Sequence, residues 1–265
     1  MTKQYWTDLS STDFRELDKE KTLALLPIGS MEQHGPHLPV ATDTFSALAL
    51  VEGICDQIDE IPTVQLPIIW CSRSNEHADF PGTITLSHDT FVHLVQDISA
   101  SVAAAGFRKL VIVNWHGGNT GLLTSILRDI RQSTGLMVFL LDGLHLLGAF
   151  KKPWQEGVSF DYHAERTETS IMLAKHPEKV KRMDYSNLGS DLKRGKISRL
   201  FKDNQHLMPE GGLAQVAWTT NDLSEDGVIG SPAGATPEDG EWVLQKAIDL
   251  GSAAMREIAA FTYEP

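Results

Sequence analysis

Glu32 and His34 stand two residues apart in the stretch Leu23 to Asp43, which reads LALLPIGSMEQHGPHLPVATD. In extended backbone that spacing puts both side chains on one face. A carboxylate and an imidazole aimed the same way suit a divalent metal better than an apolar core. His37 and Asp43 follow. Asp43 opens the next helical pattern, where a single carboxylate could bridge two ions. The plainer alternative is a polar loop whose histidines lie at the surface.

Two further bursts carry similar chemistry. Asn114-Trp115-His116-Gly117-Gly118-Asn119 puts a histidine at a strand end, and its glycines let a ligand approach the backbone closely. Phosphate-loop and dinucleotide patterns are absent, and the competing reading is a tight strand-to-helix turn with a capping Asn. Asp161-Tyr162-His163-Ala164-Glu165-Arg166-Thr167-Glu168-Thr169-Ser170 precedes the apolar Ile171-Met172-Leu173. Acids are favoured at a helix N-terminus, which accounts for Glu165 and Glu168 without function but leaves His163 unexplained. Glu76 and His77, in the loop before Phe80, are candidates to line the same pocket.

The elements that must position these residues follow from apolar patterning. The expected order is a helix over 5–20, capped by Ser10 or Ser11 and packing Phe14 and Leu17, then a buried strand over 22–29 and a helix over 44–58. A strand over 63–70, a loop over 71–83 and a helix over 89–105 come next, the helix capped by Asp89 or Thr90 and stopped at Gly106. Then follow a strand over 109–115, a helix from 119 or 120 to 133, a strand over 136–141 and an irregular stretch over 143–160. A short helix over 168–176 stops at Pro177, loops with short elements fill 181–235, and a helix over 237–261 closes the chain with Pro in its first turn. Strands alternating with helices imply an α/β fold, a mostly parallel sheet between two helical layers. Ligands in such sheets bind beyond the carboxyl ends of the strands, so the bursts after strands 22–29 and 109–115 belong on one rim.

Composition narrows the partners. The 265 residues are 42% apolar and 22% charged, and nothing marks an internal boundary or repeat, so a single domain over 1–265 is expected. With 23 Lys and Arg against 35 Asp and Glu, the formal net charge is −12. That balance excludes a nucleic-acid or anionic-membrane partner and leaves a small-molecule substrate. Cys55 and Cys71 leave room for one disulfide but not for a disulfide framework. The polar N-terminus has no signal-peptide character and no apolar run reaches membrane length, so a cytoplasmic location is the expectation.

GSMEQHGPHLPVATD, the FPGT at Phe80 to Thr83, NWHGGN, HAERTETS and the GVIGSPAGATPEDG run from Gly227 to Gly240 resemble the creatininase (creatinine amidohydrolase) family. The resemblance covers most of the chain. It implies a creatininase-like three-layer α/β/α fold, a metal-dependent amidohydrolase with two divalent ions, and a homo-oligomer, creatininase itself being a hexamer. Position by position it implies Glu32, His34, Asp43 and His116 as ligands, Asp43 shared by both ions, and His163 as a proton shuttle. Creatininase has a ligand Glu two residues after the histidine matching His116; here that place is Gly118, and Glu168, in the retained Glu-Thr-Ser step, is the candidate replacement. Two tryptophans that enclose creatinine lack counterparts: Ser159 takes one place, the region Leu141 to Gly143 lacks the other, and Trp154 is out of register. Creatinine is therefore expected to be a poor substrate. Relatives with the His-Gly-Gly-Asn form act on other compounds, formamides and cyclic molecules among them.

The expected chemistry is hydrolysis of a small cyclic amide or formamide by a metal-activated water, with His163 or Glu168 passing a proton to the leaving nitrogen. Oxygen and nitrogen ligands without cysteine fit Zn2+, Mn2+ or Fe2+. His37 is expected behind the ligands or against substrate, and Glu76, His77, Gly117 and Gly118 against substrate. Two other readings stay open: metal-assisted ring opening or isomerisation of a keto-sugar or lactone-like compound, and a non-catalytic metal-binding protein.

Overall fold

A computed structural model describes residues 3–154, 161–189, 206–208 and 213–262. Strands β1 (Lys3–Tyr5), β2 (Leu23–Ile28), β3 (Thr63–Gln65), β4 (Lys109–Asn114) and β5 (Met137–Asp142) form one sheet in the order β1-β3-β2-β4-β5. All four pairings are parallel, as the βα alternation requires. The central β2 is buried on both faces over its whole length, which is why it reads as a continuous apolar run.

Alternate residues of β2 feed two cores. Leu23 and Leu25 pack with Leu50, Val51 and Ile54 of α2 (Thr42–Gln57) and with Val243, Leu244 and Ala247 of the closing helix Pro237–Ala260. Ala24, Leu26 and Ile28 pack on the opposite face with Phe91 and Val95 of α3 (His88–Ala104) and Leu123, Ile126 and Ile130 of α4 (Gly117–Thr134). The result is the expected three-layer α/β/α arrangement. Among the described residues the remaining helices are α1 (Ser11–Glu16), α5 (Gly143–Gly148), α6 (Arg166–Lys175) and α7 (Thr220–Leu223), which makes the closing helix α8. Beside them, β6 (Leu207–Met208) and β7 (Ala214–Gln215) form a small parallel pair. Among the described residues no helix is long and apolar enough to cross a membrane. Cys55 and Cys71 are buried and free.

Four sequence expectations are corrected. The helix expected over 5–20 shrinks to Ser11–Glu16, capped by Ser10, because Lys3–Tyr5 instead takes the free edge of β3. The strand expected over 63–70 stops at Gln65. Pro27 has no N–H to give on that side of β2. The chain bows out after the bond from Leu66 N to Leu25 O and returns where Ile69 N donates to Pro27 O at 3.0 Å. The helix expected from 119 or 120 begins at Gly117, so both glycines form its first turn. Within 143–160, residues 143–148 are helical because Asp142 accepts from Leu144 N and His145 N; residues 155–160, Ser159 among them, lie outside the described residues.

Helices α6 and α8 touch at Gly240, where an added Cβ would overlap the Ser170 carbonyl and stand 2.8 Å from Ile171 N. Backbone cannot yield there as a side-chain tip would. Gly240→Ala gains up to ~1 kcal/mol of helix propensity, but forcing the helices apart costs about 1–3 kcal/mol. The substitution is expected to lower the melting temperature by roughly 2–8 °C, measurable by circular dichroism; an unchanged or raised midpoint would contradict this packing.

Candidate metal centre

The bursts meet at the carboxyl ends of the strands. Glu32 and His34 leave β2 in a loop closed by the bond from Glu32 N to Val40 O, 2.9 Å. Asp43 sits in the first turn of α2 and His116 at the N-cap of α4. His163 is held by paired backbone bonds to Ile229, and Glu168 lies in the first turn of α6. Glu76 and His77 ride on a single 3-10 turn, Asn75–His77.

Two groupings share Glu32 and Asp43. His34 Nε2 stands 3.3 Å from Asp43 Oδ1, 3.7 Å from Glu168 Oε2 and 4.0 Å from Glu32 Oε1. His116 Nδ1 stands 3.1 Å from Asp43 Oδ2 and 3.2 Å from Glu32 Oε2. Glu32 Oε1 also faces His77 Nε2 and His163 Nδ1, each at 3.6 Å. Ser30 Oγ donates to Asp43 Oδ2 at 2.7 Å and fixes that carboxylate.

Backbone carbonyls decide which imidazole nitrogen is available. A carbonyl only accepts, so the nitrogen beside it carries hydrogen. His34 Nδ1 donates to Glu32 O (3.1 Å), leaving Nε2 aimed at Asp43 and Glu168. His116 Nε2 donates to Arg73 O (2.9 Å), leaving Nδ1 aimed at Glu32 and Asp43. His163 Nε2 donates to Gln33 O (2.7 Å), leaving Nδ1 toward Glu32. Donation away from the site is the arrangement that orients ligating histidines.

The donor set fits a divalent cation. Among the described residues, four clusters of three His, Asp or Glu side chains have ligand atoms within 4.8 Å of one another: Glu32-His34-Asp43, His34-His163-Glu168, Glu32-Glu76-His116 and Glu32-His77-His163. Glu32 Oε2 and His34 Nε2 are buried without a hydrogen-bond partner among the described residues, a costly state for polar atoms unless something else satisfies them. Burial alone would lower the His34 pKa, but Asp43, Glu168 and Glu32 carry it up to about 10. His116 is likewise raised against its burial, by Glu32 and Asp43. Burial, with Asp43 and Glu165, pushes Glu168 up to about 8. Burial, then His77 and His34, holds His163 well below the usual imidazole range, so it stays neutral.

Glu32, Asp43, Glu76, His77, His116, His163 and Glu168 line a cavity of about 420 Å³, together with Trp115, Leu144, Leu147, Tyr162, Val216 and Trp218. Gly117 and Gly118 line it as expected. His37 does not. Its Nε2 pairs with Thr169 Oγ1 at 2.8 Å and its ring is fully buried, so it braces α6. Glu165 is a cap: its carboxylate accepts from Thr167 N. Glu168 stands with His34, so the carboxylate beside His116 is not Glu168 but Glu76. Trp154 packs on Trp242 under Arg166, away from the cavity. Trp218 had no sequence signal, since it lies in a stretch without periodicity.

A proton balance follows. At pH 7 the metal-free His34 and Glu168 both hold protons, their pKa values lying above 7, and a cation must displace them. Zn2+ or Mn2+ binding is therefore expected to release protons, and affinity to fall as pH falls, roughly tenfold per unit for each proton released. Calorimetry in buffers of different ionisation heat checks this; identical heats in all buffers would contradict it.

The sequence profile of the creatininase family, described as creatinine amidohydrolase, matches residues 7–255. The mycofactocin precursor peptide peptidase of Mycobacterium tuberculosis (strain CDC 1551 / Oshkosh) is 31% identical, over 97% of this chain and 93% of its own. The creatinine amidohydrolase of Pseudomonas putida is 31% identical over 59% of this chain and 65% of its own, and the 3-dehydro-scyllo-inosose hydrolase of Thermotoga maritima 28% over 67% and 58%. A creatininase structure described as the Mn form superposes with a TM-score of 0.69 at 22% identity, covering 96% of this chain and 97% of that one, which establishes a shared fold. The chain belongs to the creatininase family.

Proposed function

We propose that the protein is a metal-dependent amidohydrolase that opens a small cyclic amide or a formamide at a centre of two divalent ions. The observation that carries this reading is Asp43, whose two oxygens face two different imidazoles, His34 and His116. Glu32, Asp43 and His116 would hold one ion, and His34, Asp43 and Glu168 the other. Zinc, manganese or ferrous iron fits these oxygen and nitrogen donors. When bound, such ions polarise a carbonyl oxygen and bring the pKa of a coordinated water toward neutrality.

The chain's own groups do the rest. Neutral His163 turns its unprotonated Nδ1 toward Glu32 and the cavity, where it can take a proton and pass it to the leaving nitrogen. Trp115, Tyr162 and Trp218 offer an apolar face to a ring or short chain and keep water from it. The cavity suits a ligand at the small end of the usual range. A second reading is cleavage of an amide bond in a peptide, favoured by the full-length likeness to the peptidase. We also take the chain to be a homo-oligomer: Trp70 and Ile84, each about half exposed, border one apolar depression that suits contact between copies.

Two outcomes are expected. Asp43→Ala should lose both ions by elemental analysis, because one carboxylate serves both groupings; full metal in a folded variant would contradict the bridging role. A panel of lactams, formamides, creatinine and short peptides, followed by NMR on the zinc- or manganese-loaded protein, should show turnover of a lactam or formamide and little of creatinine. Turnover confined to peptides would replace the small-amide reading with the second one.

A further inference from the structure

Each of the two groupings at Asp43 brings three protein groups together. On the His34 side, Glu168 is tied down by Ala164 N, which donates to its Oε2 at 2.6 Å. The Ala164 backbone is left-handed there (φ 53°), an uncommon conformation for a residue with a Cβ. On the His116 side, α4 offers no carboxylate, since its first turn opens with Gly117-Gly118 and holds no acid.

The space over Gly118 is filled from elsewhere. A Cβ at Gly118 would overlap Glu76 Oε1, stand 2.5 Å from His116 Nε2 and 3.0 Å from Arg73 O. Glu76 Oε1 lies 3.5 Å from His116 Nε2, the nitrogen turned toward Arg73 O, and Glu32, Glu76 and His116 keep one ligand atom each within 4.8 Å of one another. The turn that carries Glu76 is braced from three directions. Thr220 Oγ1 of α7 donates to Glu76 O at 2.9 Å, Ser74 N donates to Thr85 Oγ1 at 2.9 Å, and Arg73 N donates to Asn119 Oδ1 of α4 at 3.4 Å. The Glu76 carboxylate shares the cavity lining with Glu32, Asp43 and His116, and among the described residues that lining includes neither Lys nor Arg.

We propose that Glu76 is a further carboxylate ligand of the ion at Glu32, Asp43 and His116, brought in by the loop after β3, and that residue 118 is glycine because that carboxylate occupies the space its side chain would need. The proposal rests on the two-ion reading and adds one ligand to it. It also gives the 3-10 turn Asn75–His77 a role: it delivers a charge across the sheet rim from a segment distant in sequence from α4.

The test is ion stoichiometry and affinity in the full chain, read by elemental analysis after dialysis and by Mn2+ titration with electron paramagnetic resonance detection. Wild-type protein is expected to hold two ions. Glu76→Gln should keep one, on the His34–Glu168 side, and bind the other at least ~100-fold more weakly, beyond the 10–100-fold that loss of a group behind a ligand costs. The retained ion reports that the variant is folded. Gly118→Ala, which leaves every ligand in place but overlaps Glu76, should weaken the same ion, and adding it to Glu76→Gln should weaken that ion little further. A Glu76→Gln protein whose weaker ion loses less than ~100-fold in affinity overturns the assignment. Wild-type protein that holds fewer than two ions overturns the two-ion reading itself, and with it this proposal.

Discussion

Buried charge is the constraint around which this molecule is arranged. Glu32, Asp43, His34, His116, His77 and His163 are all shielded from solvent at the end of one sheet. Isolated buried carboxylates cost several kcal/mol each unless paired. Without a cation, His34 and His116 are pulled into the protonated form to answer the carboxylates, and His163 is kept neutral by its burial and by the two imidazoles that flank it. The ring centroids of His34 and His77 lie 4.2 and 4.1 Å from that of His163. Such a cluster is a charge pattern waiting for a cation, and the rest of the fold fixes where each charge points.

That fixing is done largely by backbone. Glu32, Gln33 and Arg73 each lend a carbonyl to one imidazole and so settle which nitrogen faces inward. Gln33 does more. Its side chain reaches His77 Nδ1 at 2.8 Å and Gly227 O at 3.0 Å, joining the loop after β2, the 3-10 turn and the GVIG segment. Thr220 reaches His77 from the far side at 2.8 Å. Residues behind the ligands thus tie four separate segments to one centre, which is how a site built mostly on loops becomes rigid.

The sheet supplies the frame. β2 and β4 pair through Ile28 and Asn114, so His116 and the Glu32–His34 pair leave the same edge of the same rim. Asn114 then holds His116 O at 2.8 Å and Asp142 Oδ2 at 2.9 Å, linking the ends of β4 and β5. Pro27 ends the regular pairing with β3 one step early, and the segment beyond it is free to wrap back toward the rim. There Ser72 Oγ donates to Gly29 O at 2.8 Å, and the chain goes on to the turn bearing Glu76.

Much of this was written locally. The spacing of Glu32 and His34, the strand-end place of His116, the α/β alternation and the helix over Pro237–Ala260 all follow from periodicity and residue type, which act over a few residues. What the sequence could not decide is anything set by contacts between distant segments. Glu165 and Glu168 look alike as acids at a helix start; only the fold makes one a cap on Thr167 N and brings the other to His34. His37 carries the same chemistry as His34, yet packing turns it onto Thr169. Trp218 gains a place in the cavity wall through the way its loop is folded back. Most telling is Gly118, which in sequence marks a carboxylate gone missing. In three dimensions the space is occupied by Glu76, because proximity across a sheet rim is a property of chain topology that no local spacing records.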